Sequence, residues 1–212
     1  MSRSYRLLCP IARSLDRVGD RWTLLMLRDL HAGPMRFGDF LSGLPGAASN
    51  LVASRLQKLQ TDGLVLQTGQ HYTLTELGRR TERVLWELAR LGTHFEPGEE
   101  LKTPAHLRLI AVPLQNALRR VVDSNTEFVA AMVLDGDPFS IDIRQGQVEV
   151  RYGLPANPAV VVTTSYAPMM AAVSGELALD RYVQDHVHIE GPDEAATAFG
   201  TLMARVLTEG FA

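Results

Sequence analysis

With one cysteine in 212 residues, the chain cannot close an intramolecular disulfide, and no Cys/His grouping has zinc-finger spacing. A fold stapled by bridges or by structural zinc is therefore excluded, and a reducing compartment suits the chain. No apolar run approaches the roughly 18 residues of a membrane span. The first residues place Arg13 and Asp16 where a secretory signal needs an unbroken apolar stretch. The expectation is a cytoplasmic protein without a membrane partner. The motifs of common chemistry are missing too: there is no Gly-x-Ser-x-Gly elbow, no phosphate loop and no dinucleotide fingerprint. No catalytic residue, cofactor or metal site is expected, and there is neither an internal repeat nor a low-complexity tract.

Charge is present but unevenly spread. Residues 1–98 carry 13 Lys and Arg against 9 Asp and Glu, a net of +4, whereas residues 99–212 carry 8 against 15, a net of −7. Only the first part suits a phosphate backbone. The change of sign falls in Thr93 to Pro104, a stretch with Pro97, Gly98, Pro104 and several Glu, which reads as a linker between two domains.

The first part is helical at the outset. Pro10 suits a first helical position, and Ile11, Leu15 and Val18 follow at helical spacing. Trp22, Leu25, Met26 and Leu30 continue in a second helix, stopped by Gly33-Pro34. Phe37, Phe40, Leu41 and Leu44 make a third, broken by Pro45-Gly46. Ser49 stands where an N-cap belongs, before a helix to Asp62 that closes on Gly63. The period then changes to that of strands, Leu64 to Leu66 and His71 to Leu74 around Gly69, a small hairpin. Thr75 caps one last long helix through Leu91.

On a helical wheel Val52, Leu56 and Leu59 fall together and face the core, while Asn50, Ala53, Ser54, Gln57 and Thr61 fall opposite, with Arg55 and Lys58 on the flanks. Asn and Gln are equipped to pair with adenine edges in the major groove, and the flanking cations to hold phosphates. A solvated polar face is the alternative for such a helix taken alone. Two helices, a tight turn, this helix and a hairpin form the arrangement that presents a reading helix to DNA. Cys9-Pro10, the run Gly19-Asp20-Arg21-Trp22-Thr23, Gly33-Pro34, Arg36-Phe37, Leu56 to Leu59 and Leu74-Thr75-Glu76-Leu77-Gly78 resemble the HxlR-type family of bacterial winged-helix transcription regulators. The resemblance implies a homodimer on a roughly palindromic double-stranded DNA operator, with the first and last helices of the domain at the dimer interface. One departure stands out: the wing, Leu66 to His71, has no Lys or Arg. The candidate DNA-binding residues are Arg36, Ser49, Asn50, Ala53, Ser54, Arg55, Gln57 and Lys58. Cys9 precedes a helix start, which favours a thiolate, so a redox switch is one reading and a small buried residue is the other.

The acidic part is read as a helical stretch from Ala105 to Val122, bent or interrupted at Pro113. Strands follow at Phe128 to Leu134, Phe139 to Arg144, Val148 to Tyr152 and Ala159 to Val162, then helices through Met169 to Val173 and Leu177 to Tyr182. A short strand at Val187 to Glu190 and a helix from Asp193 to Leu207 finish it. Alternation on that last strand would put His186, His188 and Glu190 on one face, as metal ligands or as a solvated face. The order of elements and the segment Pro158 to Met203 resemble a sterol-carrier-protein-like domain, which implies a sheet under helices around an apolar cavity for a lipophilic small molecule. The candidate ligand-binding residues are Met132, Phe139, Ile141, Met169, Met170, Val173 and Met203, flexible thioethers being suited to adaptable pockets; ordinary core packing explains the methionines equally.

The whole is expected to be an α+β protein. Residues 1–98 form a winged helix-turn-helix domain for DNA binding and dimerisation, and residues 99–212 a mostly antiparallel sheet covered by helices. The reading is a ligand-responsive, homodimeric DNA-binding regulator and not an enzyme. The alternatives are a lipid carrier whose helix-turn-helix serves dimerisation, or a regulator switched by Cys9.

Overall fold

Pro10 opens the first helix of the computed structural model, which describes residues 4–92, 94–95 and 106–210. It sits at the first position of α1 (Pro10–Val18), where its missing N–H loses no helical bond. The Asp20 carboxylate accepts from the Trp22 N–H at 3.0 Å and starts α2 (Arg21–His31). Contacts divide the chain into two compact units, Met1–Leu88 and Ala89–Ala212.

In the first unit α3 (Phe37–Gly43) and α4 (Ser49–Thr61) are followed by the hairpin β2 (Val65–Thr68) and β3 (His71–Leu74). A strand that the sequence reading lacks, β1 (Met35–Arg36), pairs with the free side of β3, so the sheet runs β1-β3-β2. Two residues are too few to show an alternation, and their partner lies far along the chain. The cap of α4 also differs from expectation. A turn through Gly46 (φ +84°), with the Ala47 N–H on the Leu44 carbonyl, puts Ala48 in the cap position, and Ser49 is the first helical residue. Beneath α4, Val52, Leu56 and Leu59 are buried with Met26, Leu27 and Phe40. Each such side chain contributes about 1.5–3 kcal/mol of hydrophobic stabilisation.

After β3 the expected single helix is two, α5 (Glu76–Arg79) and α6 (Thr81–Gly92). The Thr81 hydroxyl donates to the Gly78 carbonyl at 2.7 Å and lies 3.1 Å from the His31 ring, so side-chain bonding replaces helix continuity at the break. The Thr75 hydroxyl caps α5 from the Gly78 N–H and donates to the Gly63 carbonyl, joining hairpin and helix. The expected linker, Thr93 to Pro104, lies mostly outside the described residues.

The second unit begins with a tight 3-10 turn, Leu107–Ile110, and α7 (Ala111–Val121). The helix is not interrupted at Pro113. That proline falls in the first turn of α7, where no intrahelical donor is required, and the change of geometry comes before it. Strands β4 (Phe128–Leu134), β5 (Asp137–Arg144) and β6 (Gln147–Tyr152) are joined by two-residue turns. Asp135-Gly136 and Gln145-Gly146 have positive φ at both positions, the type I′ form that matches strand twist. Because two residues suffice for the turn, β5 starts at Asp137 and not at Phe139.

Next come β7 (Val160–Thr164), α8 (Tyr166–Val173), α9 (Leu179–His186), β8 (His188–Glu190) and α10 (Asp193–Arg205), the last ending in a widened turn, Val206–Gly210. The five strands lie in the order β6-β5-β4-β7-β8, antiparallel throughout apart from the β4–β7 pair. Helix α7 protects the β6 edge chemically: Gln115 accepts from the Val150 N–H at 2.8 Å and Arg119 donates to the Val148 carbonyl at 3.1 Å.

Candidate functional site

The outer face of α4 is the first candidate. With Val52, Leu56 and Leu59 held in the core, the helical period leaves Ser49, Asn50, Ala53, Ser54 and Gln57 exposed. Among the described residues no protein hydrogen bond engages the side chains of Asn50, Ser54 or Gln57, so their donors and acceptors remain available to base edges.

The flanking cations are placed differently from the sequence expectation. Arg55 turns inward, its Nη2 2.9 Å from the Asp20 carboxylate, which also caps α2, and its Nε is buried without a partner. It therefore ties α4 to α2. Lys58 closes on Asp62 at 2.9 Å, and Arg17 reaches the same carboxylate at 3.3 Å. A helical i,i+4 pair of this kind contributes about 0.3–0.5 kcal/mol, so a phosphate can compete for the Lys58 ammonium.

At the wing, pairing of β1 with β3 supplies a cation that the hairpin's own sequence lacks. The exposed Arg36 donates from Nε to His71 Nε2 at 3.3 Å, with His71 accepting through its unprotonated nitrogen. Asp39 accepts from the Arg36 backbone N–H at 2.7 Å and fixes the start of α3. Cys9 is exposed, not buried, at the cap of α1, and its side chain makes no capping bond. Apolar side chains also lie uncovered in this unit: Ile11, 70% exposed, and Leu15 on α1, and Val84, 53% exposed, and Leu88 on α6.

The second candidate is a cavity of about 240 Å³ inside the second unit. Met132 of β4, Met169, Met170 and Val173 of α8 and Met203 of α10 line it, as the sequence reading expects. Phe139 and Ile141 do not. Phe139 pairs with Met132 across β4–β5 and so shares its face, but the cavity lies over the β4-β7-β8 side of the sheet, and both β5 side chains are fully buried away from it. The polar residues at the wall include Thr164 and Tyr182, whose hydroxyls are 2.9 Å apart and buried. Burial pushes the Tyr182 phenol above its ordinary pKa, against the opposing effect of the Thr164 bond. None of the described lining residues is charged. The sequence reading missed both hydroxyls; the apolar run ending at Thr164 was the signal available.

The His186, His188, Glu190 grouping does not form. Helix α9 extends to His186, which stacks beside Tyr182, and strand β8 begins only at His188, which pairs with Glu190 at 3.4 Å. Among the described residues no cluster of His, Cys, Asp and Glu could hold a metal ion, and no helix is long and apolar enough to cross a membrane.

Residues 17–100 match the family described as HxlR-like helix-turn-helix. Over 95 residues, 42% of this chain and 70% of the relative, the sequence is 32% identical to the HTH-type transcriptional regulator sll1512 of Synechocystis sp.. Over 88 residues, 38% of this chain and 70% of the relative, it is 32% identical to the HTH-type transcriptional regulator YtfH of Escherichia coli. Among solved structures, quinone-bound YodB from B. subtilis is 30% identical and aligns with a TM-score of 0.39, covering 41% of this chain and all of that one (100%). The family match spans α4 and its hairpin, and with 32% identity over 70% of each of the two regulators the chain belongs to the HxlR-like helix-turn-helix family.

Proposed function

We propose that the protein is a sequence-specific transcription regulator that binds a double-stranded DNA operator as a homodimer and responds to an apolar molecule held in a sterol-carrier-like second domain. One observation carries the DNA reading: α4 offers Asn50, Ser54 and Gln57 on an exposed face, their side chains without hydrogen-bond partners among the described residues, in a helix-turn-helix chain. In this reading Asn50, Ser54 and Gln57 contact bases, Ser49 and Ala53 lie against the groove, and Arg36 and Lys58 hold the backbone, while Arg55 acts through the placement of α4. The uncovered apolar faces of α1 and α6 favour a self-complementary dimer. A five-stranded sheet, helices and an uncharged cavity favour the ligand-binding part, and the division of contacts after Leu88 favours two domains.

Operator selection from random DNA, followed by titration of the selected site, tests the reading. Gln57→Ala is expected to cost about 1–3 kcal/mol and relax one operator position, whereas Lys58→Ala weakens all sequences alike and flattens the salt dependence. Unchanged affinity in both variants would remove α4 as the reading helix. Failure to select any sequence at physiological salt would favour a carrier protein over a regulator.

A further inference from the structure

Resting on the apolar-ligand reading above, we propose that the cavity selects an uncharged compound bearing one hydrogen-bond acceptor, such as a ketone, aldehyde or ether oxygen, directed at the Thr164–Tyr182 hydroxyl pair. Two hydroxyls carry two O–H donors, and a single hydrogen bond links them, so only one donor is used between them. Neither hydroxyl has a further hydrogen-bond partner among the described residues. The second donor is thus left at the wall of a space whose other described lining residues, Tyr166 apart, are apolar, and a buried donor without an acceptor is the less tolerated kind of unsatisfied group.

Charge narrows the class further. With no charged counterpart among the described lining residues, a carboxylate or ammonium would lose its hydration without compensation. Size narrows it again: a dry cavity of about 150 Å³ holds benzene, so the 240 Å³ here corresponds to roughly ten non-hydrogen atoms by proportion. Flexible Met132, Met169 and Met203 allow the wall to follow compounds of similar bulk.

Acetophenone, cumene and benzoate share a skeleton and differ in presenting a carbonyl, an apolar branch or a charge. Calorimetric titration of the full chain should show acetophenone binding about fivefold tighter than cumene, the worth of one net hydrogen bond, and benzoate binding weaker than either. In the Thr164→Val/Tyr182→Phe double variant the preference for acetophenone should vanish while cumene still binds, which also shows that the altered cavity is intact. As a second measurement on the unaltered protein, the infrared carbonyl stretch of bound acetophenone should lie below its value in hexane. Equal binding of acetophenone and cumene, an unshifted carbonyl stretch, or benzoate binding as well as acetophenone overturns the acceptor proposal and leaves an apolar site standing. Binding of neither acetophenone nor cumene overturns the apolar-ligand reading itself.

Discussion

Asp20 illustrates how much one side chain organises. One carboxylate oxygen caps α2 and the other holds Arg55 of α4, so the residue that starts one helix also orients the next. At the same scale Tyr182 makes a pH prediction. Its folded pKa is raised by burial, so the unfolded phenol ionises first. The folded state then binds more protons than the unfolded one as pH rises past about 10, the ordinary phenol value. Tyr182 is neutral to stability below that pH and destabilising above it. Thermal unfolding compared between the native chain and Tyr182→Phe should show a steeper loss above pH 10 in the native chain. Parallel pH profiles would contradict the buried placement of the hydroxyl.

At the scale of elements, the join between hairpin and α5 brings backbone closer to Gly78 than to any other described glycine of the first unit. A Cβ at Gly78 would lie 2.0 Å from the Leu64 carbonyl oxygen, and backbone cannot give way as a flexible side chain does. Gly78→Ala should therefore destabilise by about 2 kcal/mol or more, read as a lower denaturant midpoint with an unchanged slope. A midpoint matching the native chain would disprove that approach. The apolar faces of α1 and α6 give a second expectation at this scale. Ile11→Glu, replacing a side chain already 70% exposed, should leave secondary structure intact while shifting sedimentation from dimer to monomer. If the sedimentation coefficient does not move, these faces do not join two copies.

At the scale of the whole molecule, the relevant quantity is the coupling between DNA and cavity. A compound that binds both DNA-competent and incompetent states equally shifts nothing. If acetophenone weakens operator affinity by some factor, linkage requires that operator weaken acetophenone affinity by the same factor. Titrating the compound into free and operator-bound protein should give two affinities whose ratio equals the operator effect. Identical affinities in the two titrations would mean that cavity and DNA are independent. The charge division, +4 in residues 1–98 and −7 in residues 99–212, confines phosphate attraction to the first part.

What could be read without coordinates was local in origin. The α4 face follows from the spacing of Val52, Leu56 and Leu59, because burying one side of a helix determines the other within the same turns. The Gln145-Gly146 hairpin follows from turn chemistry confined to two residues, whereas at Asp135-Gly136 pairing with β4 carries the next strand two residues further back than the sequence pattern indicates. Met132, Met169, Met170, Val173 and Met203, which line the cavity, lie on elements whose apolar character is plain from the sequence. Contacts between distant segments decided the rest. Arg36 reaches the wing only because β1 pairs with β3, and Arg55 faces Asp20 only because α2 and α4 pack together. Phe139 and Ile141 miss the cavity while Thr164 and Tyr182 reach it, because strand order and not strand pattern sets which part of a sheet face lies open. A side chain's direction within its element is a property of local sequence; which neighbour it meets is settled by long-range pairing, and that only the tertiary structure supplies.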